Sequence, residues 1–316
     1  MSPSPVAAPV AAVSIHANRR GIQLMIAAMA CFIVNDALVK YASQAMPAAQ
    51  LIFLRGVMAS LLALGVARAM RVGVRPRELA RGWVAVRALV DAAATLFYLV
   101  ALFHLPIANA TAINMASPLF IALLAVPLFG ERVDARRWWA IATGFLGVVL
   151  VVQPRADGFN AYALVCLVAT LLHAVRDLVT RRIPPGIASI VVTVATAVAV
   201  TALAGLLSLV QGWQPFGVPE LAVLALAAGF LAAAYTLIIL ATRRGEFSVI
   251  APFRYTGLLW ALLIGYVVWG DVPNVLAWAG IALLIGAGLY LVHRERQRAR
   301  EAGAPAAGGL SSGRDA

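Results

Sequence analysis

Charge is what this chain has least of. Only 12% of its 316 residues are Asp, Glu, Lys or Arg, where a soluble domain carries about 25% to wet its surface. With 63% hydrophobic residues and a mean hydropathy of +0.91, the polar side chains cannot cover a water-soluble globule, so the solvent is lipid. Cysteine is nearly absent as well: Cys31 and Cys166 both sit inside apolar runs, which excludes a disulfide scaffold and a C-x-x-C metal pair. No G-x-x-x-x-G-K-[ST] run occurs, which removes a nucleotide-driven pump. No H-x-x-x-H, Cys/His cluster or closely spaced acid pair occurs either, so no metal and no cofactor is expected, and a membrane enzyme is disfavoured. Lys40 is the only lysine. The excess of Arg over Lys, together with abundant Ala, is the composition of a GC-rich bacterial genome, and the expected location is the inner membrane.

What the chain does have is long apolar runs. A hydrocarbon core about 30 Å thick needs about 20 apolar residues per helix. Ten such runs, bounded by Arg, Pro or Gly, fall near 21–41, 48–68, 82–103, 106–129, 136–153, 159–180, 187–210, 219–241, 247–269 and 273–292. The first eighteen residues have no basic leader, and Arg19 and Arg20 directly precede the first run; a flexible segment and a retained first span are expected, not a cleaved signal. Residues 294–316 read as a basic, then disordered, tail.

A net charge of +12 would suggest nucleic acid in a soluble protein. Here the arginines cluster at 19–20, 68–81, 132–137, 181–182, 243–244 and 294–300, while the alternate loops hold only Arg155. Short basic loops stay cytoplasmic. Ten spans with this alternation place both termini in the cytoplasm, and the expected partners are a small metabolite and the bilayer, not nucleic acid.

Sliding the sequence along itself by 140 residues brings Gly130-Glu131 onto Gly270-Asp271, Trp138 onto Trp278 and Ile141 onto Ile281. Five spans repeat as five. An odd count forces the halves into opposite orientations, so the expected fold is an all-α membrane protein of two inverted five-helix repeats, 19–155 and 156–293, with a site near the midplane.

The run ACFIVNDALVKY at 30–41, FLRG at 53–56, ANATAINMASPLF at 108–120 leading to PLFGER, RDLVTRR at 176–182 and APFRYTGLLW through WGDVP at 251–273 resemble the EamA-domain family of the drug/metabolite transporter superfamily. The resemblance implies ten helices, inward termini and a central cavity lined mainly by spans one, three, four, six, eight and nine. Similar members move amino acids and their derivatives, S-adenosylmethionine, riboflavin, nucleotide precursors or organic anions.

Ionisable groups at membrane depth are costly and mark pathways or structural pairs. Eight lie within the expected spans: Asp36, Lys40, Arg55, Arg87, Asp91, Arg176, Asp177 and Arg254. Asp36 with Lys40, and Arg87 with Asp91, stand four apart and can neutralise one another on a helix face; the acids can equally serve substrate or proton transfer. Lys40, near a span end, can snorkel. Arg176 and Asp177 are adjacent, so they are not expected to pair. His173 stands one turn before Asp177 and is either a relay or structural. Arg55 and Arg254 lack an acid at helical spacing in their own spans. Arg254, after Pro252 and beside Tyr255 and Trp260, suits a carboxylate, a phosphate or a planar ligand; the other reading pairs it with an acid across the bundle. Asn114 meets Arg254 under the 140 shift, and Tyr98 and Thr95 can add to the same wall. The substrate-binding set is therefore Arg254, Tyr255, Arg55, Asn114, Tyr98 and Trp260. The proton-coupling or ion-pair set is Asp36, Lys40, Arg87, Asp91, His173 and Asp177. The reading that results is a secondary transporter of an amino-acid-like, carboxylate-bearing or zwitterionic metabolite, with S-adenosylmethionine or riboflavin as the alternative.

Overall fold

The computed structural model describes residues 10–129, 134–153, 160–184, 186–244 and 247–303. The described residues are helices joined by short turns. Nine stretches among them are long and apolar enough to cross a membrane, and a tenth apolar helix, Trp138–Val152, is shorter. The expected runs reappear as α1 (Val10–Ala42), α2 (Ala48–Ala69), α4 (Gly82–His104), α5 (Ile107–Asn114) with α6 (Ser117–Phe129), α7 (Ala135–Val152), α8 (Tyr162–Thr180), α9 (Ser189–Gln211), α10 (Val218–Arg244), α11 (Phe247–Ile250) with α12 (Thr256–Trp269), and α13 (Val275–Gly303). A four-residue helix, α3 (Pro76–Leu79), sits in the arginine-rich second loop.

Four features differ from expectation. Helix α1 starts at Val10 and α13 continues to Gly303, so part of each terminal segment expected to be flexible is helical; residues 1–9 and 304–316 lie outside the described residues. Gly130, Glu131, Arg132 and Arg155 also lie outside them. The fourth run is not one helix. Pro118 has no N–H to give and its ring collides with the carbonyl four residues back, at Asn114, and there α5 ends in a turn before α6 begins. Pro252 acts the same way in the ninth run, where a 3-10 turn over Ala251–Tyr255 separates α11 from α12. The α-helix resumes at Ser117 after the first break and at Thr256 after the second.

The helices pack largely in pairs. Helix α1 lies along α10 and α4 along α8, while α2 packs on α9, α7 on α13 and α5 on α12. Exchanging the halves of the chain turns the α1–α10 pair into the α8–α4 pair and leaves the other three pairs unchanged. Small residues allow the close contacts, as they do where lipid offers no hydrophobic drive. A methyl group on Gly147 would stand 2.7 Å from the carbonyl oxygen of Gly280, and one on Gly280 would stand 2.5 Å from that of Gly147. Gly56 likewise lets α2 approach Thr201 of α9, where Ser60 and Thr201 share a 3.2 Å hydroxyl contact. The main apolar core runs from Ile33 through Leu102 and Ile113 to Leu258 and Leu284.

Candidate functional site

Helical spacing builds the site. On α4, residues 87, 91, 95 and 98 form one stripe, and on α8, residues 173, 176, 177 and 180 form another; positions three and four apart share a face. These stripes meet because α4 and α8 pack together. The polar ends of α1, α2, α5 and α10 complete two linked groups.

The first group begins at Arg55, which is 7% exposed. Its Nη1 donates to Asn35 Oδ1 at 3.2 Å, and its Nε is buried without an acceptor. Asn35, 1% exposed, passes the connection on by donating from Nδ2 to Asp36 Oδ1 at 2.9 Å. The hydroxyl of Tyr98 donates to Asp36 Oδ2 at 2.8 Å, and the Tyr98 ring lies 6.1 Å from that of His173. His173 Nδ1 is 2.9 Å from Asn114 Oδ1, at the break between α5 and α6. Five helices are thus linked through one chain of contacts that includes the Asp36 carboxylate, with Thr111 Oγ1 buried and unpartnered beside them.

The second group is ionic. Arg87 Nη1 is 3.6 Å from Asp91 Oδ2 along α4, and Arg176 Nη1 reaches Asp91 Oδ1 from α8 at 2.9 Å. Arg176 also grips Asp177 Oδ1 through Nε at 2.9 Å and Nη2 at 2.8 Å. Arg87 donates further to Thr180 at 2.9 Å and Thr196 at 2.8 Å, which ties in α9. Tyr235 on α10 stands within electrostatic reach of Arg55, Arg87, Arg176 and Asp91. Its ring meets Phe32 edge-on at 5.2 Å and stays 47% exposed.

Several expectations need correction. Asp36 and Lys40 form no ion pair among the described residues; Asp36 is held by Tyr98 and Asn35. Lys40 does not snorkel. It is 9% exposed, donates to the carbonyls of Leu102 (2.9 Å) and Leu105, and sits 5.6 Å from the Trp269 ring. The reason lies in α4: the helical donor for Leu102 would be the N–H of residue 106, a proline. Arg176 and Asp177 do pair although adjacent, because the long guanidinium arm curls back to a carboxylate that needs little reach. His173 turns to Asn114, not to Asp177.

The Arg254 group stands apart from this network. Arg254 is exposed and makes no hydrogen bond or ion pair among the described residues, so it does not pair with Asp36, Asp91 or Asp177. The hydroxyl of Tyr255 is buried without a partner, against Gly288 of α13. Trp260 packs between the main core and a smaller one around Met25 and Met29. Asn114 shares the site with His173 while its counterpart Arg254 does not. Sequence reasoning missed Asn35, although it directly precedes Asp36 in a polar pair inside an apolar run. It also missed Tyr235, which the 140 shift sets opposite Thr95.

Known proteins resemble this chain. Residues 19–153 match the model of the EamA-like transporter family. The first half of the chain therefore carries an EamA-like segment. It is 35% identical over 199 residues to a riboflavin transporter of Rhizobium johnstonii, an alignment taking in 62% of this chain and 65% of that protein. It is 28% identical over 283 residues to the pseudopaline exporter CntI of Pseudomonas aeruginosa, covering 86% and 96%. An S-adenosylmethionine uptake transporter of Rickettsia bellii is 26% identical over 192 residues, covering 61% and 66%. A protein of known crystal structure superposes with a TM-score of 0.59 at 23% identity, over 89% of this chain and 98% of the other; at that identity the likeness is one of fold. Apolar helices and family together make this a multi-pass membrane protein. The matched EamA-like segment supplies Asn35, Asp36, Arg55, Arg87, Asp91, Tyr98 and Asn114. His173, Arg176, Asp177 and Tyr235 come from beyond it.

Proposed function

We propose that this EamA-like protein is a secondary transporter that moves a small zwitterionic, amino-acid-like metabolite across the bacterial inner membrane by alternating access. In this reading the chain makes ten spans, with 138–152 as the core of the fifth. The spans form two inverted five-helix repeats, 19–155 and 156–293, with both termini cytoplasmic, as the basic loops suggest. Its work is transport and not catalysis.

The observation that carries the substrate class is the charge set of the site. Arg55, Arg87 and Arg176 stand with Asp36, Asp91 and Asp177. In a low-dielectric setting an uncompensated charge is expensive, so a balanced site favours a solute that is balanced too. Arg55 holds one weak bond to a neutral amide and has an idle Nε, which suits a solute carboxylate. Asp36, one residue beyond the bridging Asn35, suits the ammonium group. Arg254, unpartnered at the second helix break, is a further contact for the carboxylate as the site changes access. Names among the relatives offer a second reading, a flat heterocyclic metabolite such as riboflavin or S-adenosylmethionine, stacked on Tyr98 and Tyr235, with Tyr255 and Trp260 as further aromatic contacts at the second helix break.

Uptake of a labelled panel into proteoliposomes tests both. Flux of a zwitterionic amino acid, competed by other zwitterions and not by simple anions, is the expected result. Flux of flavin or S-adenosylmethionine alone selects the second reading, and no flux for any solute overturns transport itself.

A further inference from the structure

A cavity of about 290 Å³ opens at the end of the bundle away from the arginine-rich loops. Its walls are the α4–α5 turn, the end of α7, the start of α8 and the α12–α13 turn, and it shares no residue with the polar site described above. Four amides and one carboxylate face it: Asn109, Gln153, Asn160, Asn274 and Asp271. For a space bounded by apolar helices this is a dense polar lining.

Three of the amides are occupied in holding the walls. Gln153 Nε2 donates to Asn274 Oδ1 at 2.8 Å and Asn274 Nδ2 returns the bond to Gln153 Oε1 at 3.0 Å, which joins α7 to α13. Asn274 Oδ1 also caps the α13 amide of Ala277 at 2.8 Å. Asn160 donates to the carbonyl of His104 at 2.8 Å while accepting from the amide of Tyr162 at 3.0 Å. Two acceptors remain unmatched. The side-chain oxygen of Asn109 is buried with no donor. The Asp271 carboxylate, half-buried behind the left-handed Gly270, has no hydrogen bond or ion pair among the described residues. Lys40 is within electrostatic reach of Asp271, but its ammonium group is bonded to Leu102 and Leu105.

An unmet buried acceptor costs free energy that a donor would recover, and a carboxylate out of bulk water favours a cation. We infer that this outer cavity is a binding site for a small organic cation with N–H donors, a primary ammonium group, seated on the Asp271 carboxylate with the Asn109 amide turned to present its oxygen. At about 290 Å³ it lies at the low end of the ~300–1,000 Å³ typical of ligand pockets, room for a head group and a short alkyl stem. The site is independent of the central one and needs none of its residues.

Calorimetric titration of the full chain in lipid nanodiscs with ethylammonium chloride tests this, with tetramethylammonium chloride and sodium acetate as controls. Saturable ethylammonium binding is expected. It should weaken at least tenfold in Asp271→Asn and severalfold in Asn109→Ala, and be unchanged in Asp36→Asn, which removes the acid assigned to an ammonium group in the central site. Tetramethylammonium, which has the charge but no N–H, should bind at least tenfold more weakly, and acetate not at all. Thermal unfolding of each variant separates lost binding from lost fold, and Asp271→Glu, which keeps the carboxylate, should retain binding. The proposal is overturned by no saturation below 100 mM, by equal binding of ethylammonium and tetramethylammonium, or by full affinity in folded Asp271→Asn. Loss in Asp36→Asn would place the amine in the central site instead and overturn the proposal.

Discussion

Arg176 of α8 closes on Asp91 of α4 at 2.9 Å and on its own neighbour Asp177 at 2.8 Å. The two acids are not equivalent: the Asp91 side chain is 8% exposed and that of Asp177 is 40% exposed. Asp91 also faces Arg87, so one nearly buried carboxylate serves two guanidinium groups on different helices.

Removing that carboxylate takes from Arg87 its acid partner and leaves Arg176 with Asp177 alone; breaking a buried pair in this way costs up to about 3–5 kcal/mol. Asp91→Asn should therefore lower the unfolding temperature in detergent markedly. Asp177→Asn should lower it little, since exposed pairs contribute about 0–1 kcal/mol. Equal effects would show that the cluster is wetter than its burial indicates.

Tyr98→Phe deletes the hydroxyl that bonds Asp36 at 2.8 Å and keeps the ring. A hydrogen bond to a charged group contributes about 1.5–3 kcal/mol. The expected outcome is a stable protein with uptake reduced about tenfold, at roughly 1.4 kcal/mol per factor of ten, because Asp36 loses its orientation. Uptake unchanged from wild type would make Tyr98 a packing residue.

Two arginines separate site from surface. Arg55→Lys keeps a charge but loses the planar fork that reaches both Asn35 and a solute carboxylate, so uptake should fall at least tenfold with the zwitterion and less with a neutral analogue. Arg254→Ala removes a side chain with no partner among the described residues, so folding should be untouched. If uptake of that variant also equals wild type, Arg254 has no part in the pathway.

Lys40→Met should free the carbonyls of Leu102 and Leu105 and loosen α1 from the α4–α5 turn. A cysteine placed at Leu105 in that background should react faster with a membrane-impermeant maleimide than in the Lys40 protein. An unchanged rate would mean that the turn is held by other contacts.

Gly147→Leu should push α7 off α13, because even a methyl group there would stand 2.7 Å from Gly280 O and backbone cannot yield as a side chain can. Overpacking of this kind costs about 1–3 kcal/mol or more. The yield of monodisperse protein in size-exclusion chromatography should drop. Gly65→Leu, where no atom lies within 4 Å, should leave it unchanged.

The helices were legible because length and apolarity alone dictate which segments can satisfy their backbone in lipid, and the observed boundaries of α2 and α4 fall within a residue or two of those expected. The breaks at Asn114 and Arg254 were half legible: Pro118 and Pro252 announce them, yet only the coordinates show where the helix gives way. Spacing rules correctly paired Arg87 with Asp91. They failed for Asp36 with Lys40, because a rule about one helix does not know that Pro106 on another leaves the Leu102 carbonyl without its donor. They failed for Arg176 with Asp177 because Cβ directions describe short side chains and not the reach of an arginine.

The sequence by itself determined that this chain lives in lipid, that its apolar runs are helices, and which few charges fall within them. All of that follows from local quantities: hydropathy, run length and spacing. Which buried charges meet was decided only by tertiary structure, since α4 packing on α8 brings Asp91 to Arg176, and α1 facing α2 and α4 brings Asp36 toward Arg55 and Tyr98. Side-chain partners across helices depend on helix rotation and crossing. Those are fixed by the small residues and proline breaks of the whole bundle acting together, and no single segment contains them.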